Sequence, residues 1–406
     1  MKILIIHPFF SPEGARGSEI IAQDSYKILK EAGYEVYYFG TNKQPYLENA
    51  DWTKYFINYN QKFCPEYYWN FKAQQNIKKM LDDISPDIAH VHGTPILSYS
   101  VLKPVLNRKI PVVMTIHDPG IICPTRLGWD AKSNTICKKC NSINTTPCII
   151  NNCVQTKNLI SSFNLAFANF LEKISGYNKK INRFITPSQV LADYVNCKDV
   201  PINKIKIIPN FLNNDFLKRV QLSKKQDYFL FVGTLADYKG VNILLEAIKE
   251  LPKDIPFKII GSGFQEDEYK RYAKDNNLNN IEFLGNLDRE KIINYYQNCI
   301  SLIVPSNYFE IFGMINIEAF ACKRPVIASH IGGIPEIVEN NKNGLLFEPD
   351  NVEQLKNCIL KYWNNKDLAF EHGENGYQKV FEKYTEEKYY NSLIKIYEEV
   401  LNESRK

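Results

Sequence analysis

The amino-acid sequence predicts an α/β fold: two Rossmann-like, doubly wound domains facing each other across a cleft. Three observations predict it. The chain has 406 residues, more than one typical domain holds. Short apolar runs alternate with helical patterns from end to end. That rhythm breaks over the polar stretch 210–226 (NFLNNDFLKRVQLSKKQ) and then restarts. The composition, 44% hydrophobic and 23% charged, excludes a disordered, collagen-like or coiled-coil chain. No apolar run approaches the roughly 18–20 residues of a membrane span.

In the first half, residues 2–7, 35–39, 87–92, 111–117 and 183–186 read as strands. The first of these, within MKILIIHPFF, lacks the length and cleavage site of a signal peptide, so a cytoplasmic protein is expected. Between the first two strands, Ile20, Ile21, Ile28 and Leu29 recur at helical spacing and stop at Gly33. After the linker, strands fall at 228–232, 257–260, 281–284, 300–304 and 325–329. Their continuous apolar character suits parallel strands covered on both faces. The expected domains are 1–207, with a cysteine-containing insert at 123–153, and 208–385. A last helix, 386–406, carries Tyr389, Tyr390, Leu393, Ile394, Tyr397, Val400 and Leu401 on one stripe and should pack back on a domain.

Open α/β sheets bind ligands beyond the C-terminal ends of their strands, so the loops there hold the candidate residues. In PSNYFEIFGMINIEAF, residues 305–320, Glu310 lies in a loop, and Gly313 opens a helix that contains Glu318. Carboxylates in such places can accept paired hydrogen bonds from sugar hydroxyls. The free amides after Gly313 can bind phosphate. Solvated glutamates are the plain alternative. In VGTLADYKG, residues 232–240, Lys239 sets a full charge beside a helix start, a phosphate clamp. Gly261 and Gly263 allow close backbone approach to a nucleotide. In the loop after the first strand, Gly14 and Gly17 do not match the dinucleotide fingerprint, which disfavours nicotinamide. His117 and Asp118 end a strand at the cleft edge, whereas His90 and His92 read as core or edge residues.

Taken in order, Gly17, His117, Lys239-Gly240, Gly261-x-Gly263, Glu310-x7-Glu318 and Gly332-Gly333-x-Pro335-Glu336 resemble the retaining glycosyltransferases of family 4, which have GT-B architecture. The likeness runs over about residues 1 to 385. It implies that Glu318 binds the ribose of a UDP- or GDP-sugar and that Glu310 contacts the donor sugar near its reacting carbon. Amides around Phe312, Gly313 and Met314 would hold sugar and diphosphate. Lys239 would neutralise the leaving group, Gly17 would approach it, and His117 would line the sugar site. The resemblance further implies retention of configuration and an acceptor that is a glycan or phospholipid-linked glycan. No Asp-x-Asp triplet is present, so no divalent metal and no other cofactor is expected to be required. The chain departs from the family at Thr234, where Arg is common, with Arg16 a candidate substitute. It also departs at Phe211 and Lys323, where Gly is common.

Two further readings concern partners. Cys123, Cys137, Cys140, Cys148 and Cys153 crowd one segment with zinc-like spacing; a structural zinc staple and five reduced thiols are the alternatives. Residues 1–205 carry 24 Lys+Arg against 16 Asp+Glu, a balance of +8. That suits anionic lipid or a phosphate-bearing acceptor, with nucleic acid not expected; a scattered lysine surface is the alternative. Residues 159–183 join an apolar stripe to Lys173, Lys179, Lys180 and Arg183, either an interfacial helix on an anionic membrane or a helix packed on the domain. A non-catalytic glycan- or nucleotide-binding scaffold and a sugar-nucleotide epimerase remain as alternative functions.

Overall fold

A computed structural model describes residues 1–10, 17–42, 50–58, 68–94, 97–130, 133, 135–140, 143–154, 158–197, 200–221 and 228–405. The chain forms two compact units. One comprises Met1–Asp130, Cys137–Pro209 and Glu387–Lys406; the other comprises Ala131–Ile136 and Asn210–Glu386.

The first unit is built on six parallel strands: β1 (Lys2–Ile6), β2 (Glu35–Phe39), β3 (Ile88–Val91), β4 (Val112–Thr115), β5 (Arg183–Thr186) and β6 (Ile205–Ile207). Their order in the sheet is β2-β1-β3-β4-β5-β6. Ile3 is in register with Val36 on one side and Ile88 on the other. Strands β3 and β4 are buried throughout, as parallel strands under helices on both faces must be. The order reverses between β1 and β3, so the loops leaving those two strands flank the sheet's natural crevice. Strand β6 went unforeseen: only Ile205 is buried, and Lys206 and Ile207 face solvent, so the run lacks a core signature.

Helix α1 (Gly17–Glu31) follows β1, and α2 (Leu159–Ile174) precedes β5. The C-terminal helix (Glu386–Ser404) completes this unit. Its buried stripe of Tyr389, Leu393, Ile396, Tyr397 and Val400 packs inward. The Tyr389 hydroxyl lies 2.9 Å from Ser25 Oγ, and the Tyr397 hydroxyl 2.7 Å from His90 Nδ1.

The second unit repeats the theme with β7 (Tyr228–Val232), β8 (Phe257–Ile260), β9 (Ile281–Gly285), β10 (Cys299–Val304), β11 (Val326–Ser329) and β12 (Gly344–Phe347). Their order, β9-β8-β7-β10-β11-β12, reverses between β7 and β10. All six residues of β10 are buried. Helix α3 (Val241–Lys249) turns Val241, Leu244, Leu245 and Ile248 onto a core that includes Phe229, Phe257 and Ile303. The stretch read as a linker holds a short helix, Asn214–Arg219, capped by the Asn213 side chain on the Phe216 amide at 2.9 Å. Among the described residues, no helix is long and apolar enough to cross a membrane.

Candidate functional site

The loops at the reversal point of the second sheet carry its charged groups. After β7 the chain runs through Thr234 to a short turn, Asp237–Lys239, and then into α3. After β10 it runs through Tyr308 and Glu310 to Gly313, which caps α4 (Met314–Ala321) with φ +81°. The two loops meet. Lys239 Nζ donates to Glu310 Oε2 and to the Tyr308 hydroxyl, both at 2.8 Å, and that hydroxyl donates to Glu310 Oε2 at 2.7 Å. Burial alone would lower the Lys239 pKa, but the Glu310 carboxylate and Tyr308 outweigh it and hold it above the usual lysine range. Burial, then Glu310, pushes the Tyr308 phenol up as well. Glu310 is tethered at its backbone too: the Gly333 amide donates to its carbonyl at 2.7 Å. A Cβ on Gly332 would stand 2.1 Å from that same oxygen, so only glycine permits this approach.

Glu318 lies within α4, only 12% exposed. Arg289 Nη2 donates to its Oε1 and the Tyr296 hydroxyl to its Oε2, each at 3.0 Å. Both oxygens are thereby aimed, and each retains lone-pair capacity for a further donor. No side-chain hydrogen bond caps α4; within its first turn the Asn316 amide donates to the Gly313 carbonyl at 3.0 Å, and the N–H donors of Met314 and Ile315 lie at the positive end of the helix dipole. Phe312 is buried edge-on against Tyr384, with ring centroids 5.8 Å apart.

In the first unit, the loops after β1, β3 and β4 bring His7, His92 and His117 to one pocket, with Ser18, Asp118 and Arg126. His92 Nδ1 lies 3.1 Å from His117 Nε2, with the rings stacked at 21°. Burial lowers the His117 pKa to about 3 and that of His7 to about 4. Burial also depresses His92 strongly, with the neighbouring histidines adding to it. These imidazoles are therefore neutral near pH ~7, suited to hydrogen-bonding hydroxyls and not to pairing with an anion. Asp118 caps the turn Pro119–Ile121 through the Gly120 amide at 2.7 Å and pairs with Arg126 at 3.0 Å. His90 is structural: Tyr397 and Thr115 occupy its two nitrogens, each at 2.7 Å.

Of the residues singled out from sequence, Lys239 and Glu310 are in contact, with Gly313 and Met314 next along the chain. Gly17 opens α1, and a Cβ added there would meet nothing within 4 Å. Gly14 and Arg16 lie outside the described residues. Thr234 is exposed. A Cβ on Gly261 would meet the Gly233 carbonyl at 1.8 Å, and one on Gly263 the Leu235 carbonyl at 2.2 Å, so these glycines let the loop after β8 pack on the loop after β7. Tyr308, Arg289 and Tyr296 were missed, because a lone tyrosine or arginine in a loop or helix carries no periodic signal.

The five crowded cysteines are all free thiols. Among the described residues, no three His, Cys, Asp or Glu side chains stand where they could hold a metal ion, so the zinc staple does not emerge from this geometry. Burial raises the Cys140 thiol to about 11 and the Cys148 thiol to about 12, which keeps both protonated. Of the four basic residues read at the end of the segment 159–183, Lys179 and Lys180 are exposed and the other two are engaged within the unit. Lys173 is buried and donates to the Ile122 carbonyl at 2.9 Å, and Arg183 pairs with Glu403.

Comparison with known proteins agrees with this architecture. The family model described as "Glycosyl transferases group 1" matches residues 213–379, and "Glycosyltransferase Family 4" matches residues 15–216. An uncharacterized glycosyltransferase of Methanocaldococcus jannaschii is 38% identical over 198 residues, 49% of this chain and 54% of that protein. The O-antigen chain mannosyltransferase C of Escherichia coli is 30% identical over 177 residues, 43% of this chain and 47% of that protein. The chain thus spans about half the length of these curated relatives. Among solved structures, sucrose-phosphate synthase from Thermosynechococcus elongatus superposes with a TM-score of 0.72 at 20% identity, covering 99% of each chain. Anabaena HepE in complex with UDP-glucose gives 0.69 at 17% identity, covering 98% of this chain and 100% of that one. At such identities the likeness establishes the fold, which is GT-B.

Proposed function

We propose that this chain, which belongs to glycosyltransferase family 4, transfers a sugar from a UDP- or GDP-sugar to a glycan or lipid-linked acceptor in surface polysaccharide assembly. The observation that carries this reading is the Lys239–Tyr308–Glu310 cluster beside the uncapped start of α4, at the reversal point of the second sheet. The O-antigen relative and the UDP-glucose complex of HepE support the choice of substrates.

In this reading, breaking the bond between the sugar and the diphosphate sends the electron pair to a phosphate oxygen. Lys239 and the amides of Gly313 and Met314 stabilise the charge that develops there. Glu310, its rotamer set by Lys239 and Tyr308, accepts hydrogen bonds from sugar hydroxyls and faces the positive charge growing on the ring. Glu318, aimed by Arg289 and Tyr296, takes the ribose hydroxyls. Gly17 leaves room for backbone approach. Gly261 and Gly263 act by shaping the donor loop, and Phe312 by anchoring the chain before α4. His117 supplies neutral hydrogen-bonding capacity toward the transferred sugar. The acceptor oxygen bonds to the reacting carbon on the face the phosphate departs from, and the leaving phosphate takes the acceptor's proton, so anomeric configuration is retained. The positive charge needed comes from Lys239 and helix amides, so the reaction requires no divalent metal.

A thermal-shift screen of UDP-, GDP- and ADP-sugars tests the donor assignment. A true donor at 100 times its Kd adds about 2.7 kcal/mol of stability. The reading is lost if no nucleotide-sugar stabilises the protein, or if Glu310→Gln turns over as fast as the parent.

A further inference from the structure

Helix α2 is amphipathic in the unusual direction. Its inward positions are Ser162, Ala166, Asn169 and Lys173, small or polar residues. Asn169 donates to the Gly120 carbonyl at 2.8 Å, Ser162 to Asn152 at 2.8 Å, and Lys173 to the Ile122 carbonyl. The opposite stripe, at helical spacing, points outward: Ile160 is 73% exposed, Phe163 52%, Phe167 39% and Ile174 57%. Phe163 and Phe167 stack on each other at 5.9 Å, and Phe167 meets Tyr68 at 5.4 Å. Trp69 and exposed Phe71 continue the surface. A helix held to its domain by polar contacts, with its large hydrophobes outside, is adapted to a non-aqueous neighbour.

Charge identifies that neighbour. Beside the Tyr68–Phe71 aromatics, exposed Lys72 follows in the chain and exposed Lys103 lies with its Nζ 5.7 Å from the Trp69 ring centroid. Beyond the C-terminal end of α2, Lys179 and Lys180 are both exposed. The helix's own acid, Glu172, is hydrogen-bonded to Tyr99 and faces Arg126. Apolar side chains bracketed by lysines fit an anionic, lipid-rich interface, where hydrocarbon insertion and headgroup attraction act together.

We propose that the outward face of α2, with Tyr68–Phe71 beside it, docks this chain on an anionic lipid bilayer. The surface lies wholly in the first unit and its use needs no turnover, so its test is separate from that of the activity. The full chain is co-sedimented with vesicles of phosphatidylcholine alone and with vesicles containing about 30% phosphatidylglycerol. The chain should pellet with the anionic vesicles and stay in solution with the neutral ones. The triple variant Ile160→Gln, Phe163→Gln, Phe167→Gln should lose at least about tenfold in partition. All three positions are solvent-facing, so the circular dichroism spectrum should not change. Lys179→Glu with Lys180→Glu should weaken binding to anionic vesicles and flatten its salt dependence. Equal pelleting with both vesicle types, or retention by the triple variant, overturns the proposal. So does a dimer in sedimentation velocity that the triple variant dissolves while vesicles bind neither protein; that result would assign the face to a second copy.

Discussion

The two units solve one topological problem with opposite chemistry. Each has a six-stranded parallel sheet whose order reverses once, and each places polar side chains on the loops at that reversal. In the second unit those groups are charged and locked together, Lys239 on Glu310 and Arg289 on Glu318. In the first, stacked histidines whose burial denies them protons predominate, beside a single Asp118–Arg126 pair. The difference teaches that a shared scaffold dictates where the loops converge, while loop residues decide what charge is displayed there.

The sharpest way to break this contrast is to remove the cation from the second unit. Lys239→Ala should lower kcat by about 10²–10³-fold in a product-formation assay at saturating donor, since it deletes a preorganised donor to the leaving group. An effect confined to KM would make Lys239 a binding residue only. The histidines of the first unit make their mark through pH. Their folded pKa values lie below the unfolded value of 6.5, so the unfolded chain binds more protons and stability falls as pH drops. Between about pH 6.5 and pH 4, each of His7, His90 and His117 should cost up to about 1.4 kcal/mol per pH unit. Melting temperatures that stay flat from pH ~7.5 to ~5 would refute it.

Smaller effects refine the picture. Glu318→Gln should raise the donor KM about tenfold with kcat nearly unchanged, because it weakens charge-assisted bonds made equally in ground and transition states. Adding EDTA should alter the rate by less than about twofold if Lys239 and the helix amides carry the electrostatic load. A larger loss would put a metal ion in their place.

Much of the fold was legible because buried parallel strands write themselves as unbroken apolar runs, as in CISLIV of β10. One edge of each sheet was legible, β2 and β9, and the other, β6 and β12, was not. IKI and GLLF are short; Lys206 and Ile207 face water, and Gly344 is needed where a Cβ would strike the Val326 carbonyl at 2.3 Å. Ordered loop motifs pointed to Glu310, Lys239 and Glu318, but not to the residues that hold them, since Tyr308, Arg289 and Tyr296 come from unremarkable stretches. The family's frequent glycine at Lys323 has a conformational reason, for that residue adopts φ +57°. The charge count of residues 159–183 overstated the exposed positive charge, because counting cannot tell that Lys173 is spent on a backbone carbonyl while Lys179 and Lys180 stay exposed.

The return of the C-terminal helix to the first unit has a bearing on biosynthesis. Everything through Pro209 leaves the ribosome well before Tyr389 and Tyr397 exist to meet Ser25 and His90. Nearly all of the second unit is one uninterrupted segment and can finish folding while the first still waits for its last helix. The half translated first is therefore the half completed last, and a prematurely terminated chain would carry a raw slot along α1 and β3, a surface for chaperones to hold.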